Sequence, residues 1–217
     1  MSLKSWLKTG DFAEAQFCYH ELPERLDPYD FDAFIRGGIP FYAVCTNLTT
    51  GQAEYLPIRD MLEQVDILRA SASLPYFSRP VSINGETYLD GGCTDAIPLQ
   101  AFEAMGYVRN VVILTRPADY IKKPELPALA PWFYRKYPRF VHALQHRHSA
   151  YNQAVDYVRQ QEAAKAAFVI RPENPLSIGR LEADPEKVQM IYDQGREDAH
   201  RILPDLIAWR NKNASES

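Results

Sequence analysis

The sequence lacks a long apolar run, a paired cysteine motif and an excess of positive charge. No apolar run approaches the roughly 20 residues of a membrane-spanning helix, so we expect no span. The three cysteines form no C-x-x-C pair, which favours free thiols in a reducing, cytoplasmic compartment. With 24 Lys and Arg against 28 Asp and Glu, the net charge of -4 argues against nucleic acid as the main partner.

The start of the chain also lacks the apolar patterns of a signal peptide and of an early strand. Residues 1–10 lack the apolar core of a secretory signal peptide, and no strand pattern precedes Ile39. Most domains that are built around a sheet begin with a strand, so we interpret the sequence as the later part of a longer protein. Residues 1–217 are expected to form one partial domain, with a polar tail at 211–217.

Apolar runs alternate with helical patterns along the rest of the chain. Residues 38–47 and 111–115 are typical of buried strands, and Asn84-Gly85 predicts a type I′ hairpin within 81–90. Helical spacing predicts a long helix over 142–167 and a last one from Pro185 that ends or kinks at Pro204. This alternation predicts an α/β fold with a mostly parallel sheet.

The most informative motif is Asp90-Gly91-Gly92, which follows the end of a predicted strand. Two glycines let the backbone turn sharply and approach another group closely. An aspartate raised there into a cleft is well placed to act as a general base. The alternative is a plain strand-to-helix turn in which Asp90 or Asp95 caps backbone amides.

This motif and its surroundings resemble the patatin-like phospholipases. The Asp90-Gly91-Gly92 stretch is similar to the D-G-G or D-G-A motif of that family. Other segments similar to the family occur in the family's order between about Pro23 and Leu203, and the later ones resemble a bacterial branch. In chain order, these segments are 38–47 with Gly51, 70–75 with Phe77 and Pro80, 97–99, 114–117, 147–148, 151–152 and 169–172.

The resemblance implies a three-layer fold that here lacks its N-terminal strands, and a hydrolase that acts on acyl esters of lipids. In this family a serine on a G-x-S-x-G turn attacks the ester, an aspartate accepts its proton, and a glycine-rich loop binds the oxyanion. The aspartate corresponds to Asp90, and Gly91 and Gly92 belong to its loop. The dyad needs neither a metal nor a cofactor.

The 217 residues contain no G-x-S-x-G and no glycine-rich oxyanion loop. Ser71, Ser73 and Ser82 are the serines considered as replacements, but none lies on a glycine-flanked turn. We therefore expect the chain alone to be inactive. The alternative is a non-catalytic binding or assembly module that has the same fold.

Two further groups of residues suggest chemistry of other kinds. Cys93 lies three residues after Asp90 and is a candidate nucleophile. A neighbouring carboxylate raises the pKa of a thiol, however, which favours the interpretation of Cys93 as a bystander. His142 and His146 have the i,i+4 spacing of metal ligands, with His148 nearby, but no third ligand is evident and a plain helix face is the alternative.

An aromatic segment at 132–140 carries Arg135, Lys136 and Arg139. It either contacts a lipid surface or packs its rings while the cations reach water. We also expect self-association, because a domain without its first strands exposes apolar surface and an unpaired sheet edge.

Overall fold

The computed structural model describes residues 14–124, 129–179 and 182–214. The strands are β1 (Phe41–Asn47), β2 (Gln52–Ile58), β3 (Val81–Ile83), β4 (Glu86–Asp90), β5 (Asn110–Ile113) and β6 (Ala167–Ile170). After a π-helical segment, Phe17–Leu26, the helices are α1 (Phe31–Gly37), α2 (Val65–Ser71), α3 (Leu99–Ala104), α4 (Ala130–Phe133), α5 (Pro138–Ala163) and α6 (Pro185–Ala214).

Four of these strands form an antiparallel sheet in the order β2-β1-β4-β3. Short turns join β1 to β2 and β3 to β4, and such turns can connect only antiparallel neighbours. At the second turn Asn84 has φ 51° and Gly85 has φ 86°, which confirms the predicted hairpin. The turn chemistry thus determines the direction of these strands.

The described strands do not form the mostly parallel sheet that we expected from the sequence. The parallel pairing seen is between β5 and β6. Burial of β1 misled the prediction, because an apolar run shows that a strand is buried but does not give the direction of its neighbours. The coarser expectation of a mixed α/β fold is confirmed.

The described residues fall into two compact units. The first is drawn from Met1–Ile97 and Lys123–Tyr151, and the second from Pro98–Lys122 and Asn152–Ser217. Helix α5 therefore contributes its N-terminal part to the first unit and its C-terminal part to the second. The expectation of one partial domain stays a prediction.

The first unit has a hydrophobic cluster on each face of its sheet. Successive strand residues point to opposite faces, so Tyr88 and Leu89 of β4 enter different clusters. The helix-α2 cluster comprises Ala43, Cys45, Ile58, Ile67, Ala70, Val81 and Tyr88. The helix-α5 cluster comprises Leu48, Leu89, Cys93, Ala130, Tyr134, Phe140 and Leu144.

The second unit differs from the sequence predictions in two places. Strand β5 was expected to be buried, yet Ile113 is 72% exposed and Val111 is also exposed. Helix α6 was expected to end or kink at Pro204; it does not end there but continues to Ala214, and the kink stays a prediction. Asp184 accepts a hydrogen bond from the Glu186 amide at the start of α6, as a capping residue does.

No helix in the described part of the chain is both long enough and apolar enough to cross a bilayer.

Candidate functional site

Asp90 is the last residue of β4, and its backbone is fixed on both sides. Its N–H donates to the carbonyl of Ser73 (2.9 Å), and its carbonyl accepts from Thr46 Oγ1 (2.8 Å). The same Thr46 hydroxyl lies 2.8 Å from Thr94 Oγ1. These bonds hold the strand end against β1 and the loop after it, so the Asp90 side chain starts from a well-defined Cα position.

The Asp90 carboxylate is oriented by the loop that follows it. Its Oδ1 accepts a 2.7 Å hydrogen bond from the N–H of Gly92, in a short 3₁₀ turn over Gly91–Cys93. Asp95 likewise accepts from the Ile97 amide and from the Tyr55 hydroxyl. Both carboxylates therefore cap backbone amides, as in the plain-turn alternative, and the role of Asp90 as a base stays a prediction.

Both glycines of the motif lie in tight surroundings. A Cβ added to Gly91 would lie 2.2 Å from the Val44 carbonyl oxygen, so β1 approaches the loop too closely for any side chain. A Cβ on Gly92 would lie 3.1 Å from Asp90 Oδ1. Close approach thus requires a glycine at position 91, as the sequence indicated, whereas a side chain at position 92 would need only a small shift of the Asp90 carboxylate.

The serines considered as replacement nucleophiles are not placed for attack. Ser71 Oγ donates to the carbonyl of Val44 (2.8 Å), and Ser73 Oγ donates to that of Arg69 (2.7 Å). Ser82 lies exposed on β3, away from any tight turn between a strand and a helix. None has the exposed, strained turn that an acyl hydrolase uses to present its nucleophile.

The thiols near Asp90 are buried. Cys93 belongs to the helix-α5 cluster, which agrees with its interpretation as a bystander. Cys45, the register partner of Asp90 across β1 and β4, is fully buried. Burial, with the charges of Asp90 and Glu54 as smaller causes, raises the pKa of its thiol to about 12. A buried thiol that stays protonated at neutral pH is a poor nucleophile.

The histidines of α5 lie along one helix. The His142 and His146 rings stack with centroids 4.2 Å apart, and both residues are exposed. His146 Nδ1 lies 2.9 Å from the His142 carbonyl oxygen, within the helix. Among the described residues no group of three or more His, Cys, Asp or Glu is arranged to hold a metal ion.

The aromatic segment divides into buried and exposed parts. Tyr134 and Phe140 are buried in the helix-α5 cluster, and the Tyr134 hydroxyl accepts from the Tyr76 amide (2.9 Å). Trp132 is 69% exposed and Phe133 is also exposed. Packing therefore explains the later aromatics but not the first two.

One contact of the Asp90 loop is not evident in the sequence. The Nε of Arg147, on α5, donates a 2.7 Å hydrogen bond to the Gly92 carbonyl. The two residues are far apart in sequence, and the sequence spacing contains no signal that would pair them. In the sequence, Arg147 and His148 stand out only as one of the segments that resemble the family.

The comparisons with known proteins match two parts of the chain. The family model of "Patatin-like phospholipase" matches residues 2–103, and that of a "Domain of unknown function (DUF6363)" matches residues 137–211. A protein of Escherichia coli strain K12, described as "Uncharacterized protein YjjU", is 31% identical over 141 residues. That match covers 61% of this chain and 38% of the relative, so the chain spans less than half of the relative's length.

Proposed function

Because residues 2–103 belong to the patatin-like phospholipase family, we propose that this protein hydrolyses acyl esters of lipids with Asp90 as the base of a Ser-Asp dyad. The observation that carries the proposal is that the patatin-like match includes Asp90-Gly91-Gly92, with Asp90 at the end of strand β4, which pairs with β1. The proposal includes a patatin-like three-layer fold for the longer protein. The free thiols support a reducing, cytoplasmic location.

We propose that the nucleophilic serine belongs to a part of the protein that the 217 residues do not include. In the acylation step Asp90 accepts the serine hydroxyl proton while the serine oxygen bonds to the ester carbonyl carbon. The alcohol then leaves with that proton, and water hydrolyses the acyl-serine by the reverse transfer. Asp90 ends the cycle as a carboxylate, and no metal or cofactor takes part.

The test is to clone the natural reading frame upstream of the Met1 codon and assay the longest product. We expect a glycine-rich loop and a G-x-S-x-G turn upstream, and hydrolysis of 4-nitrophenyl butyrate. Asp90→Asn should lower kcat at least about 100-fold, because the amide cannot accept the serine proton. Asp95→Asn is the matched control from the same loop and should cost far less.

An upstream stop codon, or a full-length product with no esterase activity, would contradict the proposal. It would favour the second candidate, a non-catalytic binding or assembly module. The observation in favour of that candidate is the absence of any G-x-S-x-G turn from the 217 residues. The chain by itself is expected to be inactive under either candidate.

We propose that the protein reaches its lipid substrate at a membrane surface, which it contacts through the exposed part of the aromatic segment. Leu129, Trp132 and Phe133 present apolar side chains, with the exposed cations Arg135 and Lys136 beside them. Such a combination suits a bilayer that contains anionic lipid. Trp132→Ala should reduce co-sedimentation with phosphatidylglycerol vesicles, and equal binding by the variant would contradict this contact.

A further inference from the structure

Both backbone polar groups of Gly92 are used. Its N–H donates to Asp90 Oδ1 and its carbonyl accepts from Arg147 Nε, each at 2.7 Å. The glycine therefore links the proposed base to a charged side chain on another element. The first bond fixes the Gly91–Gly92 peptide group, and the second fixes the Gly92–Cys93 peptide group.

A second nitrogen of Arg147 also lies near Gly92. A Cβ placed on Gly92 would be 3.1 Å from Asp90 Oδ1 and 3.7 Å from Arg147 Nη2, so both atoms lie on the same side of the loop. The guanidinium is half-buried and keeps its positive charge at every physiological pH.

Helix α5 is a rigid support for this arginine. Leu144, one turn before Arg147, is buried against Leu89 and Cys93 in the helix-α5 cluster. Near the start of α5, Arg139 contacts the turn between β1 and β2, where a Cβ on Gly51 would lie 2.6 Å from the Arg139 carbonyl oxygen. The helix is therefore fixed to the sheet both before and beside Arg147.

We propose that Arg147, which belongs to the segment matched by the domain of unknown function, is a positioning residue for Asp90. Arg147 fixes the Gly92 carbonyl, and Gly92 in turn holds the carboxylate toward the nucleophile. This role rests on the proposed function. It assigns a task to one residue of the segment 137–211, which lies outside the patatin-like match.

An arginine suits this task better than a lysine. The planar guanidinium presents Nε to the Gly92 carbonyl in a fixed direction, whereas a lysine ammonium is a single point of charge on a flexible stem. Arg147→Lys should therefore show the same defect as Arg147→Met, both in the order of the Asp90 loop and in kcat. This expectation distinguishes a geometric role from a general requirement for positive charge.

The first experiment uses hydrogen–deuterium exchange of the 217-residue chain, followed in peptides that cover 90–96. Arg147→Met and Arg147→Lys should both speed exchange in these peptides at least about 10-fold, while peptides of β1 stay protected. The control is Gln145→Met, which changes an exposed side chain on the same helix. Unchanged exchange in Arg147→Met, or a uniform loss of protection over the whole sheet, would overturn the proposal.

The second experiment measures 4-nitrophenyl butyrate hydrolysis by the full-length protein. Arg147→Met and Arg147→Lys should lower kcat at least about 10-fold with KM within about threefold of wild type, and Gln145→Met should match wild type. An unchanged kcat in Arg147→Met would overturn the positioning role. If wild type has no activity, the proposed function fails, and exchange alone decides whether Arg147 orders the loop.

Discussion

At the residue scale, Gly91 has the least tolerance for change. A Cβ there would lie 2.2 Å from the Val44 carbonyl oxygen and 2.5 Å from its carbon, and β1 cannot withdraw without breaking its ladder. Gly91→Ala should therefore lower the free energy of unfolding by more than about 2 kcal/mol, as measured by urea denaturation. Gly37→Ala is the control, since its Cβ would meet nothing within 4 Å. Equal stability of the two variants would contradict the close approach.

The three thiols should differ sharply in reactivity. Cys18 is exposed, whereas Cys45 and Cys93 are buried. Because the Cys45 pKa is raised to about 12, only about one Cys45 in 10,000 is ionised at pH 8. A thiol reagent such as DTNB should modify one thiol in the native chain, none in Cys18→Ser, and three in the unfolded wild type. Rapid native modification of Cys18→Ser would be the contrary result.

The site is predictable from the sequence only where neighbouring residues determine the geometry. Asp90, Gly91 and Gly92 are adjacent, so a strand followed by two glycines is enough to indicate the turn. Arg147 enters the same loop from a distant helix, and only packing of the helix-α5 cluster brings it there. Long-range contacts of this kind leave no local pattern.

At the scale of elements, turn signals were more reliable than burial. The Asn84-Gly85 hairpin was predicted because both residues tolerate positive φ, and the structure has that conformation. The parallel sheet was predicted from buried runs, which do not encode strand direction. Exposed β5 shows the same limit, because apolar composition does not say what covers a strand.

Helix α6 is continuous through Pro204, and a proline inside a helix lowers the stability of that helix. Pro204 lies inside the helix, where it cannot donate to the carbonyl four residues earlier. Pro204→Ala should therefore raise stability by about 1–3 kcal/mol, seen as a higher midpoint of helix melting by circular dichroism. Pro185→Ala is the control, since the first residue of a helix tolerates proline. A lower midpoint for Pro204→Ala would show that α6 is interrupted there in solution.

At the scale of the whole molecule, exposed apolar side chains dominate the expected behaviour. Ile39, Ile113 and Val108 are 78%, 72% and 69% exposed, and β2 and β3 are the outer strands of the antiparallel sheet. Surfaces of this kind favour association between copies. Light scattering after sizing chromatography should give a mass that rises with concentration. A constant mass of 24.8 kDa over that range would contradict self-association.

The order in which the first unit is synthesised follows from its discontinuous sequence. Leu48, Leu89 and Cys93 leave the ribosome well before Phe140 and Leu144, which complete their cluster. Translation at about 5–20 residues per second puts about 3–10 s between Cys93 and Leu144. During that interval one face of the new sheet has no helix over it. A ribosome that pauses within residues 98–137 would prolong this state, in which a chaperone has time to bind.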